Sequence, residues 1–289
     1  KGTVIFIGQP AEELILGAEA MVTDGLYTKY GIPQPDYLFG MHSAPFPVGV
    51  VAAASGLRQA GTDQFDVTFY GIGGHGSSPH VAKDPIIMAA TAIMQYQSII
   101  SRGIDPKHSA VITVGSIKAG ADNNVIPETT LLKINLRWFD EKDRKLMIDA
   151  IKRINEGIAY AYDLPKEKYP TIKFKGFSTP LVNNTDLTKT IQKAVKTIVT
   201  DKRFLIDESM LPSVMGSEDF HHLVINNPKK EYCYINIGVS EPKKFEDSFK
   251  NGALPFSMHN GNFELDLTAI PFGSKVAITS LLAIFNKKD

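Results

Sequence analysis

The chain has 289 residues, of which 43% are hydrophobic and 21% are charged. Its 31 Lys and Arg residues balance 31 Asp and Glu residues, so the formal net charge is zero. This balance excludes a general electrostatic grip on nucleic acid or on an acidic membrane. The single cysteine, Cys233, cannot form a disulfide within the chain. No apolar run approaches the ~20 residues of a membrane helix. We therefore expect neither nucleic acid nor a membrane as a partner.

The first sixty residues carry short runs that are wholly apolar. "TVIFIG" (3–8), "YLFGMH" (37–42) and "VGVVAAA" (48–54) predict strands of a sheet that is covered on both faces. Glu12 and Glu13 follow the first run, where a helix is expected to begin, and a helix N-terminus favours the ionised form of both. Because consecutive helix positions are rotated by about 100°, one carboxylate could bind a metal ion while the other faces a water. The alternative is an acidic first turn that only complements the helix dipole.

The pattern changes at Asp63. One-sided strands are predicted at 63–71, 109–120 and 129–139, where apolar and polar residues alternate, and helices at 84–101 and 141–162. Asp84 is the expected cap of the first helix, with Pro85 in its first turn. The order strand–helix–strand–strand–helix is typical of a small two-layer domain, with helices on one face of an antiparallel sheet.

The earlier style returns after the segment 171–180. A helix (186–200), an apolar strand (231–239) and a closing helix (268–286) follow, and Cys233 on that strand is expected in the core. The fold class is therefore α/β, with a smaller α+β domain inserted in it. We predict a catalytic domain made of residues 1–60 and 175–289, interrupted by a second domain at 61–174.

Two histidines are candidate metal ligands. His42 ends the strand 37–42, at the expected sheet edge of the glutamates, and His259 precedes the closing helix in "LPFSMHNGN". His and Glu are ordinary ligands for zinc-type ions, which keep a position for water in catalytic sites. Each histidine alone could instead be structural.

The segment "GIGGHGSSPH" (71–80) allows three interpretations. It matches the dinucleotide pattern G-x-G-x-x-G, but no helix follows at once and no acidic residue closes a second strand. Ser77 or Ser78 with His80 could suggest a serine nucleophile, but the G-x-S-x-G elbow is absent. The third interpretation is a glycine-rich turn that presents His75 at the edge of the domain.

The segment 122–137 supplies two polar candidates. Asn124 could cap a turn and Arg137 could be a surface charge, or an amide and a guanidinium fork could together bind a substrate carboxylate.

The segment "MGSEDFHHL" (215–223) has a capping pattern. Ser217 or Asp219 is expected to cap an apolar helix. His221 and His222 are expected to lie exposed on that helix rather than to bind metal.

These motifs together resemble one family. "QPAEE…GA", "FGMH", "GIGGHGSSPH…DP", "NNVIPE…LR", "MGSEDF" and "MHNGNF" occur in the order and spacing of the amidohydrolase branch of the dinuclear metallopeptidases. This branch includes hippurate hydrolase, N-acyl-amino-acid deacylases and plant auxin-conjugate hydrolases, and is related to carboxypeptidase G and aminoacylase. The resemblance covers essentially the whole chain. It implies a metal-dependent exopeptidase-type α/β catalytic domain with an inserted two-layer α+β dimerisation domain, or lid.

The resemblance also implies roles for the candidate residues. Glu12 would be the general base, and the metal ligands would be Glu13, His42 and His259. His75 would reach the active site of the other subunit and hold the developing oxyanion.

The lid and its neighbour would then contact the substrate. Asn124 and Arg137 would bind its carboxylate end, and Gly216 would lie along the substrate-binding wall. The implied cofactors of the complete protein are two divalent ions (Zn, Mn or Co). The implied substrates are N-acyl amino acids or small peptides, and the implied assembly is a homodimer through the lid.

One departure from the family pattern matters. The family's Cys-Gly-His segment, which precedes the Glu-Glu motif and includes the metal-bridging group, has no counterpart here, and Cys233 does not match it. From this, and from a chain that opens at Lys1 directly in an apolar run, we expect upstream sequence and a catalytic domain that is incomplete at its N-terminus.

Three functions follow as hypotheses. The first is a metal-dependent amidase. The second is a catalytically incomplete fragment that acts only as a binding or dimerisation module, with a partial metal site or none. A nucleotide-dependent oxidoreductase is a distant third.

Overall fold

The computed structural model describes residues 2–199 and 205–287. The strands in this part of the chain are β1 (Tyr37–Pro47), β2 (Val51–Ala52), β3 (Gly56–Gln59), β4 (Gly61–Tyr70), β5 (Gly74–His75), β6 (Ala110–Ala119), β7 (Val125–Ile126), β8 (Thr129–Trp138), β9 (Thr171–Ser178), β10 (Leu181–Asn183), β11 (Leu205–Ile206) and β12 (Glu231–Ser240). The α-helices are α1 (Gly17–Thr23), α2 (Pro85–Ser98), α3 (Glu141–Ala161), α4 (Thr185–Val195), α5 (Pro242–Lys250) and α6 (Ala269–Phe285). No helix of the described residues is both long enough and apolar enough to cross a membrane.

A mixed sheet combines two strands from the first sixty residues with two strands from beyond residue 200. Its strand order is β1-β12-β2-β11, in which β12 runs parallel to β1 and antiparallel to β2. The helices α4 and α6 pack against it through a buried cluster that includes Leu187, Ile191, Cys233, Ile235 and Val276. The predicted strand at 231–239, the predicted helix at 268–286 and the core position of Cys233 are confirmed. The predicted helix at 186–200 is confirmed as far as Val195, where α4 ends, and residue 200 lies outside the described residues.

A second sheet is antiparallel throughout. Its order is β6-β8-β4-β9, and α2 and α3 lie on one of its faces. The shared core contains Phe65, Phe69, Tyr96, Trp138 and Ile151. This confirms the predicted two-layer arrangement, while the domain boundaries themselves stay a prediction.

Local capping agrees with the sequence pattern. Asp84 Oδ1 accepts a hydrogen bond of 2.8 Å from the backbone N–H of Ile86, and Pro85 occupies the first turn of α2. The helix then continues as a π turn over Ile99–Gly103. The predicted cap at Asp84 is therefore confirmed.

The predicted strand at 3–8 is wrong. Val4 and Phe6 are exposed, Phe6 by 96%, and no described strand pairs with this segment. A strand needs a neighbour to satisfy its backbone N–H and C=O groups, and apolar character cannot supply one. As a result β1 is an edge strand of the described sheet and is mostly half-buried rather than covered on both faces.

The bounds of two further strands differ from the prediction. β1 continues to Pro47, so that His42 lies in the middle of the strand rather than at its end. The segment 48–54 forms a strand only at β2 (Val51–Ala52). The reason is a turn at Gly49, whose φ of 99° suits glycine and reverses the chain toward β12.

Candidate functional site

The segment from Gln9 to Ala18 forms a tight loop that carries the paired glutamates. A single 3-10 turn spans Glu12–Leu14, with Ala11 and Ile15 in the left-handed region on either side. These backbone conformations interrupt a regular helix, so α1 begins only at Gly17. The prediction of a helix that begins at the glutamates is therefore wrong.

The two glutamates have different surroundings. Glu13 is 70% exposed, and its Oε1 lies 3.5 Å from Nδ1 of His259, which is 68% exposed. Glu12 is half-buried and faces Glu218 and Asp219, with carboxylate oxygens of all three residues within 4.8 Å of one another. The turn thus directs one carboxylate to a histidine and the other to two buried carboxylates.

The pKa of Glu12 is raised from its ordinary value of 4.5 to about 7. Burial is the main cause, followed by the negative charges of Glu218, Glu13 and Asp219. The expectation that a helix N-terminus holds this carboxylate ionised is wrong, because the turn contains no such helix end. A carboxyl group with a pKa near neutral can both accept and return a proton at physiological pH.

The sequence reasoning missed Glu218 and misassigned Asp219. Asp219 is 1% exposed, and its carboxylate accepts hydrogen bonds from Gln9 Nε2 (2.6 Å) and from the backbone N–H of Ala18 (3.1 Å). It makes no side-chain cap, and Ser217 Oγ donates to the carbonyl of Ala60 instead. The sequence did offer a signal for both residues, since two adjacent carboxylates stand beside apolar residues. If such carboxylates are buried, they need hydrogen-bonding partners.

Glu218 is held from three directions. Its Oε1 accepts from the backbone N–H groups of Asp219 and Phe220, at 2.9 and 3.0 Å. The hydroxyl of Tyr234 donates to its Oε2. Its pKa is nevertheless raised, chiefly by burial. The Glu218 side chain is therefore held in a fixed position opposite Glu12.

His221 and His222 are buried, so the prediction that they lie exposed is wrong. Nε2 of His221 lies 2.9 Å from Thr179 Oγ1, and Nε2 of His222 accepts from the Thr179 backbone N–H at 3.2 Å. Burial lowers the pKa of His221 to about 3 and also lowers that of His222. These neutral rings fasten the turn after β9 to the 3-10 turn Phe220–Val224.

His42 lies beside Tyr234, the residue that donates a hydrogen bond to Glu218. Its Nδ1 is 2.6 Å from the carbonyl oxygen of Ser43, so Nδ1–H donates and the lone pair of Nε2 is left for another partner. Its ring centre is 6.3 Å from that of Tyr234, which binds Glu218. This is the tautomer that a histidine needs to bind metal through Nε2.

The predicted ligands do not all come together. Glu13 and His259 are neighbours, but His42 does not join them in a group of three ligand atoms within 4.8 Å. Within the described ranges the group that meets this distance is Glu12, Glu218 and Asp219.

His75 is exposed on β5, which pairs with β7. Its Nδ1 accepts from the Ser77 backbone N–H (3.1 Å) and lies 2.7 Å from Ser77 Oγ. Because Nδ1 accepts, the neutral ring carries its hydrogen on Nε2. Nε2–H is therefore an outward-facing donor.

The glycines around His75 allow close backbone contacts. A Cβ on Gly71 would lie 2.1 Å from the carbonyl oxygen of Lys83. The N–H of Gly76 donates to the carbonyl of Asn124 at 2.7 Å, and a Cβ there would lie 3.1 Å from the same oxygen. These two glycines are explained by packing, without a bound phosphate. Asn124 itself is exposed beside the His75 turn.

Arg137 on β8 reaches the chain on both sides of Gly216. Its Nη1 donates to the carbonyl of Met215 (3.2 Å) and to Ser217 Oγ (2.7 Å), and its Nε donates to Asn135 Oδ1 (2.7 Å). Burial lowers its pKa, and in the described part of the chain no carboxylate pairs with it. A half-buried guanidinium without a counter-charge can receive an anionic group of a ligand.

Comparison with characterised proteins gives close relatives in sequence. The chain is 37% identical to hippurate hydrolase of Campylobacter jejuni over 215 residues, which are 73% of this chain and 53% of that protein. It is 33% identical to N-acetyldiaminopimelate deacetylase of Bacillus subtilis over 230 residues, which are 79% and 58% of the two chains. The chain therefore spans between half and three-fifths of the length of these relatives.

Solved structures share the fold. A protein of methicillin-resistant Staphylococcus aureus matches with a TM-score of 0.73 and 24% identity, over 96% of this chain and 66% of that one. A Bacillus subtilis protein, described as a dinuclear metal-binding peptidase of the M20 family, matches with a TM-score of 0.65 and 22% identity, over 96% and 63%.

The family assignment covers most of the sequence. The model of peptidase family M20/M25/M40 matches residues 1–253, which include the glutamate pair, His42, the His75 turn and the 215–219 loop. The resemblance inferred from the ordered motifs is thereby confirmed at the level of the family. The chain belongs to peptidase family M20/M25/M40.

Proposed function

We propose that the protein containing this chain is a metal-dependent amide hydrolase that removes the acyl group from N-acyl amino acids or cleaves small peptides. The observation that carries the proposal is that the two adjacent glutamates have different neighbours. Glu13 faces His259. Glu12, whose pKa is about 7, instead faces Glu218 and Asp219. The names of the two sequence relatives, a hydrolase of hippurate and a deacetylase, support this substrate class.

The residues fit a divalent metal ion. Two ligand atoms at ~2.1 Å from a tetrahedral ion lie about 3.4 Å apart, and Glu13 Oε1 is 3.5 Å from His259 Nδ1. We propose Glu13, His42 and His259 as ligands of a site that holds two ions in the complete protein, with Zn, Mn or Co as candidates. Bound ions would polarise the amide carbonyl and lower the pKa of water. The negative charges of Glu218 and Asp219 favour a cation nearby.

Glu12 is proposed as the general base. Its carboxylate takes a proton from the attacking water, and the resulting carboxylic acid returns it to the leaving amine. Without bound ions its pKa is raised to about 7, first by burial and then by the negative charges of Glu218, Glu13 and Asp219.

The remaining residues are proposed to bind substrate. Nε2–H of His75 would donate to the oxyanion. Arg137 would bind the substrate's carboxylate, with Asn124 as a further contact and Gly216 as part of the wall. Since His75 is exposed and its side chain hydrogen-bonds, within the described residues, to the neighbouring Ser77, we propose that it acts on the site of a second subunit.

The test is the variant Glu12→Gln in the complete protein, assayed with Zn, Mn or Co on hippurate and N-acetyl amino acids. We expect a loss of about 10²–10⁴ in kcat, the usual contribution of a general base. Glu19→Gln, an exposed glutamate in α1, is the matched control and should keep full activity. A Glu12→Gln enzyme with near-normal turnover would contradict the mechanism.

A non-catalytic binding or dimerisation module is the second candidate. It is favoured by the separation of His42 from the Glu13–His259 pair. Metal analysis of this chain distinguishes the two candidates, since tight binding of two ions per subunit would contradict the second.

A further inference from the structure

The buried carboxylate of Asp219 binds the chain on both sides of the glutamate pair. One hydrogen bond comes from Gln9 Nε2 (2.6 Å), three residues before Glu12, and the other from the N–H of Ala18 (3.1 Å), five residues after Glu13. Asp219 is separated from these partners by more than 200 positions in sequence. It is therefore a tertiary contact that closes the loop rather than a local cap.

Close packing inside the loop also brings its two ends together. Gly17 lies so close to Pro10 that a Cβ would be 1.6 Å from the Pro10 carbonyl oxygen. Ala18 is completely buried. The two ends of the segment 10–17 thus touch each other, and Asp219 fastens both of them.

Asp219 is itself immobilised. Its neighbour Glu218 accepts from the backbone N–H groups of Asp219 and Phe220, and the carbonyl of Glu218 accepts from Ser178 Oγ at 2.7 Å. A fixed carboxylate with two donors transmits its position to the groups it binds.

We propose that Asp219 is a positioning residue, which fixes the Glu12–Glu13 turn by holding Gln9 and Ala18 at the two ends of its loop. The effect on turnover rests on the proposed function of Glu12, whereas the effect on the loop does not. The proposal also gives a reason for Gln9, Gly17 and Ala18 in the motif "QPAEE…GA".

The test exchanges the donor and the acceptor. Gln9→Glu places a carboxylate against Asp219 and loses the bond, and Asp219→Ala removes the acceptor. Asp219→Asn alone is not used, because the Gln9 amide could turn over and accept from the new amide. The double variant Gln9→Glu/Asp219→Asn restores it in reverse, while the Asn Oδ1 can still accept from Ala18. The total charge of the double variant equals that of the natural chain. Asp247→Asn, an exposed aspartate on α5, is the control.

Two measurements are made on the complete, metal-loaded protein. We expect each single variant to lower kcat by about 10- to 100-fold with little change in KM, because small misplacements of catalytic groups have effects of this size. Hydrogen–deuterium exchange should become faster over residues 11–18 in both. The double variant should recover most of both properties, and the control should change neither.

Two results would overturn the proposal. One is natural kcat and natural exchange over 11–18 in Asp219→Ala. The other is a double variant that is folded, with the melting temperature of the natural protein, but whose kcat and exchange over 11–18 are as impaired as those of the worse single variant.

If Asp219→Ala does not fold, Gln9→Ala provides the same test at a half-buried position, and unchanged exchange over 11–18 would then contradict the proposal. Full activity of Glu12→Gln would remove the proposed base but would leave the exchange result valid.

Discussion

The charge of Glu12 is unfavourable in the folded protein. Its pKa in the folded protein, about 7, lies above the ordinary 4.5, so that ionisation opposes folding. The cost is absent below pH 4.5, grows between pH 4.5 and 7, and is complete above pH 7. Function and stability therefore make opposite demands on this residue.

We predict that Glu12→Gln raises the melting temperature of the metal-free protein at pH 8 and leaves it unchanged near pH 4. Thermal unfolding in the presence of a chelator measures this. Glu19→Gln, which removes an exposed carboxylate of α1, is the matched control. A lower melting temperature of Glu12→Gln at pH 8 would show that burial and the neighbouring carboxylates do not act as described.

The hydrogen bonds of His75 determine which nitrogen of its neutral ring carries the hydrogen. Nitrogen-15 NMR of the neutral ring should show hydrogen on Nε2, because the Ser77 N–H donates to Nδ1. Ser77→Ala keeps that N–H and loses the hydroxyl. We therefore expect the tautomer with hydrogen on Nε2 to remain the major one, but with a smaller population. Ser78→Ala is the control. A natural ring with hydrogen on Nδ1 would exclude Nε2 as the donor to an oxyanion.

At the scale of the elements, one buried charge pair joins the second sheet to its helix. Asp63 on β4 accepts two hydrogen bonds of 2.8 Å from Arg144 on α3, through Nε and Nη2. It also accepts from Trp138 Nε1 on β8 at 2.8 Å. The guanidinium in turn lies over the Phe177 ring, 4.5 Å from its centre.

Removing the charge should be costly. We predict that Asp63→Asn lowers the free energy of unfolding by ~2 kcal/mol, because the buried carboxylate loses its charge-assisted hydrogen bonds with Arg144. Among the residues that the structure describes, Arg144 then keeps only the exposed Glu141 as an acidic partner. Asp66→Asn is the control on the same strand; its pair with Lys175 is partly exposed and should be worth less than ~1 kcal/mol. Urea unfolding measures both. Equal losses in the two variants would contradict this assignment.

At the scale of the whole molecule, the second sheet has features that favour pairing. Its edge strands are β6 and β9, and an edge strand must be paired, covered or blunted. On α2 the side chain of Met94 is 74% exposed, and Ile87 is also exposed. On β6 Ile117 is exposed as well. These observations support the proposed homodimer through residues 61–174, in an isologous contact.

A mixture of two inactive variants tests the shared site. His75→Ala and Glu12→Gln subunits of the complete protein should together recover about a quarter of the natural activity. The reason is that random pairing makes half of the dimers hybrid, each with one intact site of two. Each variant alone should stay inactive. Hybrid dimers that form and remain inactive would exclude the exchange of His75.

The sequence by itself determined the features that depend on neighbours in the chain. Periodicity located β4, β6 and β8 and the two helices of the second sheet, but not β9, and Asp84 marked the start of α2, because these patterns repeat over a few residues. The apolar strand around Cys233 and the order of the motifs identified the core and the family in the same way. The glutamate pair was recognised as the candidate for chemistry by its place after an apolar run.

Only the tertiary structure decided what surrounds that pair. Asp219 meets Gln9 and Ala18 across more than 200 residues, and no local pattern encodes such a contact. The burial of His221 and His222 depends on the turn after β9, and the segment 3–8 is not a strand because no described strand pairs with it. Burial, charge proximity and strand pairing are properties of segments brought together in space, so the raised pKa of Glu12 could not be inferred from its neighbours in the chain.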